Sequence, residues 1–570
     1  MPPHWDDAAD VIVIGAGATG LPAAIAACEA GASVIVVEAE DHVGGHAIVS
    51  GGNLPLGGGN LHQKRYGVED SPELLFRDLT DWTVVEPNGA APYRYNDHEI
   101  VRAFADNSVA AFDFLVAHGV QIVDAVPDNS SGHEIGMSVP RTLHCAAMDW
   151  PLVQTGKPVD AGLQATTSSG SGLMQPLYRA ARKAGVNILL QHRMTAIHRE
   201  TPPSGRVTGI AVDHCGTRRN IGARKAVIIG TGGSSGNVNF RRMFDPRLTE
   251  EYCGLAGMPW SDQDASGELA AMAVGAALWG LTNFAGEYGT GLTKPGAIGC
   301  QYGYANLRWF PGSAVFAKAR AIGLKVADWQ DVILVNMLGR RFYDETGRQF
   351  TPNLYGSFAP YHQGSHRNAK AVKYEPSNFL NAALAGIGDG HNGGGPIWAI
   401  FDSEAVAREQ WDPTPPHVDF AGGFFFGAGS LEELAGKIAM QHQRVPMPPQ
   451  HLAATVARYN AFVEAGADTD FGKPKPLYKI ARPPFHAAWA TPVLHDTRAG
   501  LRINARCQVL DLSGAVIPGL YCGGESAGGL SLHGLPRALC QGLIAGRNAA
   551  AESGEIGRRA PATRAAPAAG

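Results

Sequence analysis

Gly15-x-Gly17-x-x-Gly20, with Glu38 some twenty residues on, is a set of residues whose types and spacing suit nucleotide chemistry. The first glycine permits a tight turn, the second lets backbone approach a pyrophosphate, and the third allows close packing of a helix on a strand. A carboxylate at the place of Glu38 can accept hydrogen bonds from ribose hydroxyls. Positioning these groups requires strand, glycine loop, helix and strand in succession. DVIVIGAGATGLPAAIAACEAGASVIVVEAE supplies that order: a buried strand at Asp10–Ile14, a helix over Thr19–Glu29 and a second buried strand at Ala32–Val37. RKAVIIGTGG holds another strand, and IPGLYCGGESAGG reads as strand, turn and glycine-rich loop, with a helix over Ala538–Ala551 after it.

The wider composition sets limits on the partners. A chain of 570 residues with 17% charged residues and a net charge of −5 has no basic field, so neither nucleic acid nor an anionic membrane is expected. The eight cysteines form no CxxC or CxxCH pair, so no metal, haem or iron–sulfur site is expected. No apolar run reaches transmembrane length, and MPPHWDDAAD lacks the pattern of a signal peptide, so a cytoplasmic location is the expectation. The 72 glycines cluster at turns rather than following a period.

Texture divides the chain into an α/β fold split in sequence. Residues 1–282 and 489–552 are expected to carry a Rossmann-type nucleotide-binding domain. Residues 283–488, richer in Pro, aromatic and polar side chains, read as an inserted α+β domain over that core, and 553–570 as a flexible tail. Two features select FAD over NAD. Gly44-Gly45, Gly51-Gly52 and Gly57–Gly59 follow Glu38 closely and offer mobile backbone amides to the second half of a ligand. Gly524-Glu525 places a carboxylate just past a strand end, suited to a ribityl chain, while a second GxGxxG is absent. The cofactor-binding set is Gly15, Gly17, Ala18, Thr19, Gly20, Glu38, Ala39, Gly44, Gly45, His46, Gly51, Gly52, Gly232, Gly524, Glu525, Ala538 and Leu539.

Several motifs in fixed order resemble the flavoproteins of the fumarate reductase and 3-ketosteroid dehydrogenase superfamily. They are GAGATG (15–20), VVEAEDHVGGH (36–46), AVIIGTGG (226–233), DASGELAAMAVGA (264–276), ILVNMLGRRFYDE (333–345), HDTRAGLRIN (495–504) and GLYCGGESAGG (519–529). SGGNLPLGGGN followed by GVEDSPE looks closest to the ketosteroid dehydrogenase branch.

The resemblance implies a Rossmann-type FAD-binding domain split in sequence (1–282 and 489–552), with 283–488 as an inserted α+β substrate-capping domain, and addition or removal of two hydrogens across a carbon–carbon bond beside a carbonyl. It also implies the site residues. Arg348 falls within one residue of the proton-donating arginine of fumarate reductases. His486 stands where ketosteroid dehydrogenases look to have a ketone-polarising tyrosine. His495 and Arg537 resemble the pair that holds a substrate carboxylate, although HDTRAG replaces a double histidine and LHGLPRALCQG carries an insertion. Tyr288, Tyr302, Tyr304, Tyr343 and Tyr355 are further candidates for a proton acceptor. His46 lies near the histidine that tethers flavin in succinate dehydrogenases, but GGHAIVSGGN follows the spacing of non-covalent members.

The LPLGGGN stretch and the aromatic-rich cap favour a cyclic ketone or steroid as the small-molecule carbonyl substrate; Arg537 and His495 favour a carboxylate. A separate electron acceptor or donor is implied, since no haem motif is present. A flavin oxidase and a non-catalytic flavin-binding protein are the readings from other classes.

Overall fold

The computed structural model describes residues 4–80, 96–128, 138–150, 166–201, 204–244, 249–251, 262–279, 284–287, 298–302, 321–324, 326, 328–342, 344–345, 395–415, 418–491, 493–497, 499–530, 532 and 534–553. Its first unit follows from the residues already singled out. β1 (Asp7–Ile14) ends in Val11-Ile-Val-Ile14, α1 (Gly20–Glu29) is Ala-rich, and β2 (Val34–Val37) is VIVV with every residue buried. Continuous β-branched runs of this kind belong to parallel strands covered on both faces, where alternation of polar residues would bury unpaired groups.

β3 (Asn187–Leu189) extends the sheet beside β2. β4 (Arg193–Thr201) and β5 (Ser204–His214) form a hairpin that leads into β6 (Thr217–Ile229). After α2 (Ser266–Met272) the later strands are β7 (Val493–Thr497), β8 (Gln508–Leu510) and β9 (Val516–Cys522), and α3 (Leu535–Ala551) closes the unit. The eight-stranded sheet runs β8-β9-β6-β1-β2-β3, with β5 on β6 and β4 on β5. β9 therefore lies parallel to β6, which lies parallel to β1, and the two ends of the sequence share one sheet.

α3 closes the seam between those ends. A Cβ at Gly542 would stand 2.3 Å from the Thr19 carbonyl oxygen, and one at Gly546 would stand 2.2 Å from that of Ala23. Only glycine lets the last helix settle on the first at this distance.

A second core lies in the inserted segment. Strands Ile333–Val335, Trp398–Phe401, Phe485–Trp489 and Phe425–Ala428 form an antiparallel sheet in that order. Trp398 and Trp489 meet edge to face at 5.6 Å beneath the helix Pro449–Ala465, whose Leu452, Val456 and Tyr459 are buried against them. Phe284–Glu287 pairs antiparallel with β7 in a two-stranded ribbon. Among the described residues no helix is long and apolar enough to cross a membrane.

Candidate active site

The glycine loop after β1 contains two kinds of glycine. Gly15 has φ +95°, and a Cβ there would stand 2.4 Å from the Gly230 carbonyl oxygen; a Cβ on Gly20 would stand 1.8 Å from that of Gly15. Packing of the protein itself demands these two. At Gly17 the nearest atom to a Cβ is the Gly44 oxygen at 3.9 Å, and at Gly45 it is the Gly17 Cα at 4.0 Å. Gly17 and Gly45 thus line an opening that a side chain would fill and the protein does not.

The N-terminus of α1 bears on the same loop. Its cap residue Thr19 makes no side-chain capping bond, and its first turn carries no acid. An uncompensated helix N-terminus with backbone N–H groups suits a pyrophosphate. Ala18 completes this loop and is buried.

Glu38 follows β2 and is buried. Its Oε2 accepts from the Ala16 amide at 2.7 Å and its Oε1 from the Glu40 amide at 3.0 Å. Burial raises its pKa, while the Ala16, Glu40 and Ala39 amides oppose that rise. Each carboxyl oxygen keeps a second lone pair for a ribose hydroxyl. Gly44 and Gly45 begin a short 3-10 turn that contains His46. The residues present therefore fit the adenosine diphosphate half of FAD.

The other half of the cradle comes from segments far apart in sequence. Gly524 has φ +69° and packs on Thr19; its amide donates to Gln541 Oε1 at 2.8 Å. Ala538 and Leu539 are buried beside it at the start of α3. Glu525 Oε2 accepts from Gln263 Nε2 at 3.0 Å and from the Thr497 amide at 3.4 Å, which makes it a brace between β7 and the loop before α2. The β6 loop with Gly232 and Gly233 is tied to the same place, because the Gly233 amide donates to Ser526 Oγ at 3.2 Å. Thr497 also accepts at Oγ1 from the Ser234 amide.

Sequence reading missed Thr231, Gln263, Thr497, Ser526 and Gln541. They come from five segments and share no spacing; only Ser526, directly after Glu525, carried a local signal.

Gly51 and Gly52 lie on the far side of the 3-10 turn. The Gly52 amide donates to Ser50 Oγ at 3.3 Å and its carbonyl accepts from Cys145 N. The Gly57–Gly59 expectation needs correction. The Gly58 amide donates to Asp70 Oδ2 at 2.7 Å and the Gly59 amide to Gln63 Oε1 at 2.9 Å, so these amides are fixed within the protein rather than mobile. Arg141 holds Asp70 and Asp78 in turn, both at buried distances below 3 Å.

Among the candidates for chemistry, Arg537 lies deepest. It has no exposed surface; Nη1 donates to the Leu530 carbonyl at 2.8 Å and Nη2 to the Thr497 carbonyl at 2.6 Å. His495 lies two residues before Thr497 on β7, at the bulge where Ala285 pairs with Asp496 and Gly286 with Leu494.

His486 lies in the sheet of the inserted segment, its ring between those of Phe401 and Phe425 at 5.4 and 5.3 Å. Its Nδ1 meets no partner among the described residues. Burial pushes the imidazole down to about 4, with the Asp402 carboxylate opposing, so the ring is neutral at neutral pH. Tyr302 lies on the strand Ile298–Tyr302, paired with Ala321–Leu324. Arg348, Tyr288, Tyr304, Tyr343 and Tyr355 lie outside the described residues.

Comparison with known proteins supports FAD as the cofactor. The family model described as FAD binding domain matches residues 10–538. The urocanate reductase of Eggerthella lenta is 26% identical over 95% of this chain and 74% of its own length. The 3-oxosteroid 1-dehydrogenase of Mycolicibacterium smegmatis is 26% identical over 92% of this chain and 93% of its own. The open conformation of a flavocytochrome c3 fumarate reductase has a like fold, with a TM-score of 0.62 at 23% identity over 96% of this chain and 79% of that one.

Proposed function

We propose, from the premise that this chain belongs to the FAD binding domain family, that it desaturates or reduces a carbon–carbon bond adjacent to the carbonyl of a cyclic ketone or ketosteroid. It is an FAD-dependent oxidoreductase acting on CH–CH groups, like the reductases and dehydrogenases it resembles. Bound FAD supplies the acceptor or donor of a hydride at the substrate β-carbon. Gly15–Gly20, Glu38, Gly44 and Gly45 would hold its adenosine diphosphate half, and the loops at Gly232 and Gly524–Glu525 its other half.

The protein's own groups must handle the α-proton, which is weakly acidic. A donor aimed at the carbonyl oxygen contributes about 3–4 kcal/mol as enolate charge develops, and a positioned base or acid adds roughly 10²–10⁴ in rate. His486, held neutral, serves as a hydrogen-bonding group rather than a cation. Arg348 and the tyrosines of the inserted segment are the proton-transfer candidates. A separate electron acceptor or donor completes the cycle.

The observation that carries the ketone reading is the extent of the match to the 3-oxosteroid 1-dehydrogenase of Mycolicibacterium smegmatis, over 92% of this chain and 93% of its own length, against 74% of the urocanate reductase. A carboxylate substrate is the second reading, and it is favoured by Arg537, whose Nη2 donates to the Thr497 carbonyl on the strand of His495. Anaerobic bleaching of the flavin distinguishes the two. Cyclohexanones or 3-ketosteroids should bleach it while succinate does not. Bleaching by succinate alone would overturn the ketone reading.

A further inference from the structure

Glu268 stands in the first turn of α2 with no exposed surface, and nothing in the proposed chemistry gives it a task. Its polar neighbours are the hydroxyls of Ser526 and Thr231, at a geometry short of a full hydrogen bond to either carboxyl oxygen. Those hydroxyls belong to the two flavin loops. Thr231 Oγ1 lies 2.9 Å from Ser526 Oγ, which also accepts from the Gly233 amide. α2 is held close enough for this by Gly267, where a Cβ would stand 2.3 Å from Thr231 Oγ1.

The charged and titratable groups around it disfavour a carboxylate. Asp264, just before α2, repels a second negative charge. From β9 the Cys522 thiol faces it, itself pushed well above its usual value by burial and then by Glu268, with Arg537 of α3 pulling the other way. Burial, the largest cause, and Asp264 push the Glu268 carboxyl up to about 8.

A neutral acid, a threonine and a serine bring three hydroxyl hydrogens to a triangle with three edges, so every edge can close. Removing the acid's proton leaves two hydrogens for three edges, and one link between the loops must open. We propose that Glu268 is a positioning residue for the flavin: as a neutral acid it joins Thr231 and Ser526 and so holds the loop 230–233 against the loop 524–526, and its ionisation loosens the bound FAD. This rests on the reading that FAD occupies these loops.

The test is FAD dissociation from the full-length protein across pH 6 to 9.5, followed by flavin fluorescence. In the wild type the dissociation constant should rise roughly threefold to tenfold through the pH at which Glu268 ionises, the worth of one hydrogen bond. Glu268→Gln, which keeps a donor at every pH, should stay near the wild-type low-pH value without the rise. Thr231→Val, which breaks the triangle but keeps the acid, should weaken FAD at pH 6 and flatten the slope. A flat wild-type profile overturns the proposal, and so does an equal slope in Glu268→Gln. Absence of FAD binding at every pH would overturn the cofactor site itself, a result distinct from binding with an unchanged slope.

Stability supplies a second readout. Folded Glu268 titrates at about 8 against an ordinary 4.5 when unfolded, so between those values the unfolded chain releases the proton first and native stability falls as pH rises. The Tm advantage of Glu268→Gln should therefore widen from pH 5 to pH 8.5; a constant gap would assign Glu268 a merely structural role.

Discussion

The cradle and the core of the inserted segment are both closely packed, but opposite physics holds them. In the cradle backbone meets backbone: Gly15 on Gly230, Gly20 on Gly15, Gly542 on Thr19 and Gly546 on Ala23, with aliphatic strands beneath. In the inserted segment the interior holds charge. Arg341 donates from Nε and Nη2 to both oxygens of Glu345 at 2.8 Å and from Nη1 to Asp468 at 2.8 Å. Lys473 lies 3.3 Å from Glu345 and donates to the Trp329 and Val332 carbonyls at 2.9 Å. Two cations face the Glu345 and Asp468 carboxylates, the buried Asp344 carboxylate also acts on Lys473, and the Tyr459 ring flanks both cations at 5.3 and 5.1 Å. Arg341 holds Glu345 and Asp468 below the usual carboxylate range although burial works against it. The cradle is therefore limited by atomic size, and the inserted core by charge balance.

Removing one charge should break the inserted core most severely. Arg341→Met leaves Lys473 alone against the buried carboxylates of Glu345, Asp468 and Asp344. The loss of one partner from a buried ion cluster costs about 3–5 kcal/mol. The urea midpoint should fall accordingly, and the flavin should be lost only once the chain unfolds. A change within about 0.5 kcal/mol, the range of an ordinary surface substitution, would show that the charges do not hold this core.

Size should govern the cradle, by a smaller amount and with a built-in control. Gly20→Ala places a methyl against the Gly15 carbonyl and should cost about 1–3 kcal/mol, the usual penalty of overpacking. Gly17→Ala meets no protein atom within 3.9 Å, so apo stability should change by less than about 0.5 kcal/mol. Its methyl enters the opening instead, and FAD should bind at least about tenfold more weakly, or ~1.4 kcal/mol. Thermal unfolding of the apo protein together with FAD titration would separate the two effects. Equal stability losses at both positions would erase the distinction between packing glycines and ligand glycines.

The same contrast explains what could be read in advance. β1, α1, β2, Glu38 and the Gly524–Glu525 turn were legible because their signals are local: a β-branched run, a glycine spacing of a few residues, an acid after a strand. The α1–α3 seam was half legible. Its helix was expected over Ala538–Ala551, but Gly542 and Gly546 gain meaning only from Thr19 and Ala23 at the other end of the chain. β3 and the β4–β5 hairpin were not foreseen, since β3 is a short edge strand and the hairpin carries mixed polar residues. Gly57–Gly59 looked mobile because the acceptors of their amides, Asp70 and Gln63, are set by the fold around them. In the inserted core Arg341 and Asp468 are 127 residues apart, and nothing in either neighbourhood announces the other.

His486 provides the smallest test and the one most specific to chemistry. The resemblance set it in place of a ketone-polarising tyrosine; the fold buries it between Phe401 and Phe425 and pushes it down from 6.5 to about 4. In the unfolded chain it returns to its ordinary 6.5, so between those values the unfolded state takes up a proton that the native state refuses. Native stability then falls as pH falls through that window, by about 1 kcal/mol between pH 7 and 5.5 for this residue. His486→Phe fills the same aromatic slot without a proton to bind, and its urea midpoint should fall less than the wild type's on acidification. The turnover profile of the wild type should show no inflection from His486 between pH 6 and 8. An inflection there that vanishes in His486→Phe would mean that bound substrate or flavin restores the ring's basicity, and would move His486 from a neutral hydrogen-bonding group to the proton-transfer residue.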